Sequence, residues 1–300
     1  MGSKPPKKSC GQVMEGFQEF MWNPRTKEFM GRTGTSWALI LLFYLVFYAF
    51  LTALFSLTMW VMLQTIDDYT PKYTDRLANP GLMIRPQIDN LEIVYNLNDS
   101  SSWNGTVTAL NTFLSKYNDT NQALMNDNCP RGFYYRQQDS GDVRNHPKKA
   151  CQFNRSSLAL CSGENDTTYG YSSGKPCVLI KLNRVVNFEP KPKRDGQGYV
   201  TVNCSETVKS GETSNLMLTY FPSNGTDSNS IFGIIDLMYY PFYGKKAQTN
   251  YSQPIVAVQF SNVTTNIDHN IKCAIYANNI DFEDRDKFAG RVNFKIRVNI

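Results

Sequence analysis

Histidine is nearly missing from this chain. His146 and His269 are the only two in 300 residues, and neither sits in a metal-ligand spacing such as HExxH. No Gly-rich phosphate loop and no nucleophile elbow occurs either, which removes the usual sequence signatures of nucleotide-dependent and hydrolytic enzymes. The one formal metal motif, Asp284-Arg285-Asp286, lies in IDFEDRDKFAG and reads as a charged turn before the last strand. Charge is sparse at 19%, and the net charge of +5 leaves no nucleic-acid footprint, because three of its units fall in the first 36 residues and the rest is spread. Trp103 is the only tryptophan beyond residue 63, so the Cys-Trp-Cys spacing of a true immunoglobulin domain is absent. No internal repeat is visible.

The most informative absence is of charge between Arg32 and Asp67. Within that gap, residues 37–63 read WALILLFYLVFYAFLTALFSLTMWVML. As a helix rising about 1.5 Å per residue they extend about 40 Å, enough to cross a bilayer core of about 30 Å with some tilt. The run is too long for a signal-peptide core, and no small-residue cleavage pattern follows Met62 and Leu63. Arg25, Lys27 and Arg32 precede it and Asp67 and Asp68 follow it, which places the N-terminus in the cytoplasm. The expected organisation is a cytoplasmic tail (1–36), a transmembrane helix (37–63), an extracellular juxtamembrane stalk (64–86) and a glycosylated ectodomain (87–300).

Two features agree with this single-pass type II topology. Cys129, Cys151, Cys161, Cys177, Cys204 and Cys273 form an even set on the outer side, leaving Cys10 alone in the tail. Their connectivity is open by count, the sequential arrangement being the simplest. Nine Asn-X-Ser/Thr sequons also lie beyond the span, at Asn98, Asn104, Asn118, Asn154, Asn165, Asn203, Asn224, Asn250 and Asn262. Asn203 is set apart from the other eight glycosylation candidates, because its neighbour Cys204 belongs to a strand and a bridge.

In the tail, Phe17, Phe20, Met21, Trp22 and Phe29 alternate with charges, consistent with an amphipathic segment on the inner leaflet or a tail ordered by a partner. Within the span Tyr44, Tyr48, Thr52 and Ser56 recur every fourth residue beside Ala49 and Ala53, which is the pattern of a helix–helix interface. Trp37 and Trp60 read as interfacial anchors. Residues 106–125 carry helical spacing. Strand-like runs follow at 91–97, 177–182, 199–204, 215–221, 231–238, 255–263, 271–277 and 291–300. These imply an antiparallel β-sandwich, immunoglobulin-like in layering, held by disulfides and carrying a short amphipathic helix. Cys204 and Cys273 are expected to point inward and to bridge packed strands. Finally, Tyr239, Tyr240, Phe242 and Tyr243 followed by Gly244, Lys245 and Lys246 form an aromatic and basic cluster that suits a protein interface, with core packing of some rings as the alternative.

Several stretches together carry a family resemblance: Cys10-Gly11, Trp22-Asn23-Pro24, Gly31-Arg32-Thr33, Phe43-Tyr44, Phe47-Tyr48, Tyr69-Thr70-Pro71, Asp75-Arg76, Pro80-Gly81, residues 179–184 and Tyr243-Gly244-Lys245-Lys246. Over essentially its whole length the chain resembles the beta subunits of the sodium/potassium- and proton/potassium-transporting P-type ATPases, and most nearly the beta-2 branch of the sodium pump. The resemblance implies a non-catalytic partner of a multi-span catalytic alpha subunit, needing no cofactor. Such a partner helps alpha fold and reach the plasma membrane and modulates potassium affinity. It also implies the sequential disulfide pairing, contact of Tyr44 and Tyr48 with membrane helices of alpha, and contact of residues 243–246 with an extracellular loop of alpha. Membrane lipid, a small single-span regulatory subunit and an adhesion partner complete the expected set. A proton-pump beta subunit, a pump-independent adhesion glycoprotein and a type II glycosyltransferase are the competing readings.

Overall fold

The computed structural model describes residues 10–74, 79–141, 144–207, 215–223, 231–282, 286 and 288–300. The chain divides into two compact units, Met1–Ile66 and Asp67–Ile300.

The first unit opens with α1 (Cys10–Met21), which leaves Met14, Phe17 and Phe20 exposed. Three two-residue strands follow, β1 (Trp22–Asn23), β2 (Glu28–Phe29) and β3 (Arg32–Thr33), paired in that order. The Asn23 side chain accepts from the backbone N–H of Arg25 at 3.0 Å, so Asn23-Pro24 makes a turn. The tail is therefore locally structured. Next comes α2 (Gly34–Gln64), 31 residues with no buried side chain. Its apolar surface faces outward all round, as a helix solvated by lipid requires.

The second unit is built of two sheets. One orders as β4 (Leu82–Arg85), β6 (Cys177–Leu182), β10 (Val256–Ser261) and β8 (Met217–Phe221). The other orders as β5 (Glu92–Asn96), β12 (Arg291–Asn299), β11 (His269–Tyr276), β7 (Tyr199–Glu206) and β9 (Gly233–Asp236). The alternation of β12 is resolved as buried Val292, Phe294, Ile296 and Val298 between more accessible polar residues. Phe260 of β10 meets Phe294 of β12 edge to face, with ring centroids 6.1 Å apart, so the two sheets pack face to face.

Strand β6 is buried on both sides. Val178 and Ile180 pair in register with Val258 and Val256, on the face that carries Phe260 toward the second sheet. Cys177, Leu179 and Ala257 occupy the opposite face and are also buried. That face is covered by chain from the long crossover, tied on by the Cys161–Cys177 bridge. The crossover begins with α3 (Ser100–Leu114), whose Val107, Leu110 and Leu114 point inward. After a single 3₁₀ turn it continues as α4 (Asp119–Met125). Gly170 closes the turn before β6 at φ +78°, and a Cβ there would lie 1.9 Å from the Lys175 carbonyl oxygen, so only glycine fits.

Three expectations are corrected. The helix expected over 106–125 starts at Ser100, where the Asp99 carboxylate caps Ser101 N–H at 3.0 Å, and it breaks at Asn118, which caps α4. Leu82–Arg85 lies inside the expected stalk yet is a sheet strand, because Leu82 and Ile84 bury one face against β6. The sandwich is not wholly antiparallel, since β5 runs parallel to β12 across a connection far longer than a hairpin. Cys204 and Cys273 point inward and are bridged as expected, directly opposite each other on adjacent strands of one sheet with Cα atoms 4.0 Å apart. The other bridges join Cys129 to Cys151 and Cys161 to Cys177, the sequential pairing.

The Cys204–Cys273 bridge closes a loop of 69 residues. Replacing both cysteines by alanine should cost about 4 kcal/mol on the loop-entropy scale. This would be seen as a fall in the denaturant midpoint of the second unit; an unchanged midpoint would show that strand pairing alone holds this sheet.

Candidate interaction surfaces

Two surfaces concentrate the residues singled out by sequence. On α2, Tyr44, Tyr48, Thr52 and Ser56 are all exposed, and the Tyr44 and Tyr48 rings stack with centroids 5.9 Å apart. Their hydroxyls differ from another hydroxyl on the same helix. Thr58 donates to the carbonyl of Phe55 at 2.9 Å, which satisfies it within the helix. Among the described residues the hydroxyls of Tyr44, Tyr48, Thr52 and Ser56 have no such partner. In hydrocarbon an unpaired hydroxyl is costly, so this stripe is left with donors and acceptors for a neighbour to meet. Trp37, at the start of the apolar run, gives its indole N–H to the carbonyl of Phe29 at 2.9 Å.

The second surface gathers around Tyr69. Asp67 accepts from the backbone N–H groups of Tyr69 and Thr70 at 2.7 and 3.1 Å, and both its oxygens accept from the Arg144 guanidinium. The Arg144 bond and these two amides hold its carboxyl well below the usual carboxylate range. The Tyr69 ring stacks on His146, centroids 4.3 Å apart, and lies beneath the charges of Arg144 and Lys246 at 5.3 and 5.7 Å. Lys246 also pairs with Asp68 at 2.6 Å. Gly244, at φ +100°, passes close enough that a Cβ would sit 3.2 Å from the Tyr69 carbonyl oxygen. The motifs Tyr69-Thr70-Pro71 and Tyr243-Gly244-Lys245-Lys246, distant in sequence, are thus one structure.

The aromatic cluster is used differently from the docking role expected of its rings. Tyr240 and Phe242 are buried, the Phe242 ring tilted against Tyr251 with centroids 4.7 Å apart, and half-buried Tyr239 packs on Phe153 at 5.5 Å. Burial raises the Tyr239 and Tyr240 phenols far above their ordinary range. Backbone bonds lock the segment, with Tyr135 N–H donating to Tyr240 O at 3.0 Å and Asn187 N–H to Phe242 O at 2.8 Å. Half-buried Tyr243 accepts from Gln137 N–H at 2.6 Å, and only Lys245 and Lys246 are fully accessible. The rings are pillars, because a run this apolar finds its burial inside the domain first.

Seven of the eight candidate glycosylation asparagines, Asn98, Asn104, Asn118, Asn154, Asn165, Asn250 and Asn262, are exposed; Asn224 lies outside the described residues. Asn203 is half-buried and accepts from the Tyr220 hydroxyl at 3.1 Å, in keeping with its separation from the rest. His269 is buried and engages Glu206 at 2.5 Å and the Thr264 carbonyl at 3.0 Å, a structural role. Asp286 caps Phe288 N–H at 2.8 Å, while Asp284 lies outside the described residues. Sequence reasoning passed over Asp67, Arg144 and His146 around Tyr69, where the signal was an acidic pair directly after the apolar run. It also passed over Lys181, a cation inside the apolar strand CVLIKL.

One long apolar helix and a bridged two-layer β domain with accessible sequons define the class of single-span membrane proteins with a disulfide-bonded outer-type domain. The family model described as sodium/potassium ATPase beta chain matches residues 7–294, and the chain belongs to that family. Its similarity covers nearly the full length of several relatives. The sodium/potassium-transporting ATPase subunit beta-2 of Rhinella marina is 55% identical over 302 residues, 100% of this chain and 99% of the relative. The same subunit of Mus musculus and of Homo sapiens is 57% identical, over 301 and 296 residues, in each case 98% of this chain and 97% of the relative. The chain is accordingly a non-catalytic beta chain of the sodium-pump type. The proton-pump, adhesion-only and glycosyltransferase readings are not favoured.

The Asp67 carboxyl is depressed on folding, so its contribution is complete above the ordinary carboxylate pKa of about 4 and declines as pH falls through its folded value. Asp67→Asn should speed amide exchange at Tyr69 and Thr70 at neutral pH. The difference from wild type should shrink below about pH 4; a difference that persists unchanged in strong acid would refute this assignment.

Proposed function

We propose that this chain assembles with the catalytic alpha subunit of a sodium/potassium-transporting ATPase, with its N-terminus in the cytoplasm and its bridged domain outside the plasma membrane. The orientation is supported by the basic residues Arg25, Lys27 and Arg32 before the apolar run, and by the three disulfides and the sequons after it. The observation that carries assembly is the stripe of Tyr44, Tyr48, Thr52 and Ser56, whose hydroxyls have no partner among the described residues while Thr58 has one. The stripe meets membrane helices of alpha, and the base around Tyr243, Gly244, Lys245 and Lys246 meets an extracellular loop of alpha. In that position the chain supports folding and surface delivery of alpha and modulates potassium affinity. A small regulatory subunit and an adhesion partner engage other faces.

The test is copurification in mild detergent. Changing Tyr44 and Tyr48 together to alanine should lower recovery of the ATP-hydrolysing partner about fivefold or more, at up to about 1.7 kcal/mol for each interhelical contact. Changing Val46 and Phe50 to alanine on the opposite face should change it little. Equal losses from both pairs, or a wild-type chain that purifies alone, would sink the proposal.

A further inference from the structure

Several cations of this unit have acids beside them: Arg136 pairs with Glu189, Arg144 with Asp67, Lys148 with Asp139, Lys149 with Asp127 and Lys246 with Asp68. One cleft instead gathers cations with no acid in its lining. A cleft of about 940 Å³ between the segment 105–117, the ends of β4 and β6, and the loop 245–253 is lined by Arg85, Lys116, Lys181, Arg184 and Lys245, and by no Asp or Glu. Among the described residues none of the five makes a salt bridge.

Three of the five cations meet rings rather than counter-ions. Arg85 and Lys181 both lie over the Phe113 ring, each 5.4 Å from its centroid, and Arg184 lies over Phe242 at 5.3 Å. Burial, together with Arg85 and Arg184, lowers the Lys181 ammonium to about 8. Arg85 and Lys181 are thus kept half-buried in a group of like charges, with Lys116, Arg184 and Lys245 exposed beside them. A ligand carrying several negative charges would relieve that repulsion.

The rest of the lining narrows the ligand further. Phe113, Tyr117 and Tyr251 supply flat apolar surface; Gln87 supplies an amide and Ser252 a hydroxyl, while the Thr108 and Thr112 hydroxyls, which donate to the carbonyls of Asn104 and Thr108, keep acceptor capacity only. Ring faces beside hydroxyls and amides suit sugar rings, and the volume is in the range that takes a ligand of several rings rather than one small anion. Two exposed sequon asparagines stand at the rim: Asn104 immediately precedes the lining residue Gly105, and Asn250 immediately precedes Tyr251. We propose that this cleft binds an acidic saccharide, a chain of sugar rings bearing sulfate or carboxylate groups. The ligand is either a glycan carried by this chain at the rim or a saccharide from outside. The site is separate from the surfaces assigned to alpha except at Lys245, and it does not depend on that assignment.

The experiment measures binding of a heparin-derived hexasaccharide and of a sialylated oligosaccharide to the full-length glycoprotein in detergent, before and after enzymatic removal of its N-glycans. We expect Lys181→Gln with Arg184→Gln to weaken binding about tenfold or more through the loss of two charge-assisted contacts. Lys116→Gln, on the exposed helical rim, should act in the same direction by about threefold, and it tests the site without touching a strand. Lys272→Gln, on the other sheet, should have no effect. Affinity unchanged by glycan removal identifies an outside ligand, whereas binding that appears or tightens only after removal identifies the chain's own glycan as the occupant. No binding in either state, equal loss with Lys272→Gln, or equal affinity for a polyglutamate peptide of matched charge would overturn the proposal.

Discussion

Burial of both faces of β6 is the constraint on which the second unit depends. A strand read as CVLIKL cannot tolerate water on either side, so it needs a sheet against one face and a cover against the other. The second sheet meets the first demand through Val178 and Ile180. The long excursion between β5 and β6 meets the second, and because it is poor in regular structure it is fastened covalently, by Cys161 to Cys177 at the start of the strand itself. The Cys129–Cys151 bridge fixes the neighbouring loop, where Cys151 and Met238 form a small satellite core with Tyr239 packed against it. The disulfides are therefore concentrated where hydrophobic periodicity is weakest, and the third braces the centre of the second sheet.

Much of this was legible in the sequence for simple reasons. Strands with one wet face announce themselves by alternation, and β7, β11 and β12 lie within two residues of where alternation puts them. The apolar run of α2 is readable because lipid permits no charge there. What the pattern could not supply was the partner of each buried face. Leu82–Arg85 is only four residues, enclosed by Pro80-Gly81 and Pro86, so its turn-forming neighbours outweighed it. Cys204 and Cys273 read as inward, which is correct, but inward residues on neighbouring strands and on facing sheets look alike in one dimension.

The same ambiguity governs the aromatic cluster. Tyr239, Tyr240, Phe242 and Tyr243 could pack inward or dock outward, and composition does not separate the two. Geometry assigns Tyr240 and Phe242 to the interior, where they hold the loop from behind. This support matters to what stands in front of it. Tyr69 rests on Gly244 and beneath Lys246, with Arg144 bound to Asp67 beside it, so the first residues of the second unit are clamped onto a loop backed by buried rings. Removing a pillar ring would loosen residues 67–70 as well.

A surface that binds rather than catalyses should show where its polar groups are left unfinished, and here they are unfinished in two chemically distinct ways. On α2 the unmet groups are neutral hydroxyls on an apolar helix, which select another helix and are matched by short hydrogen bonds in a medium without water. Around Lys181 the unmet groups are cations on a wet domain, with rings against three of them, which selects a solvated polyanion. Neither surface can substitute for the other: a polyanion has no access to the bilayer core, and a membrane helix has nothing to offer five positive charges. The two deficits are physically independent, so one chain has room both for a permanent neighbour in the membrane and for a separate, salt-sensitive ligand outside it.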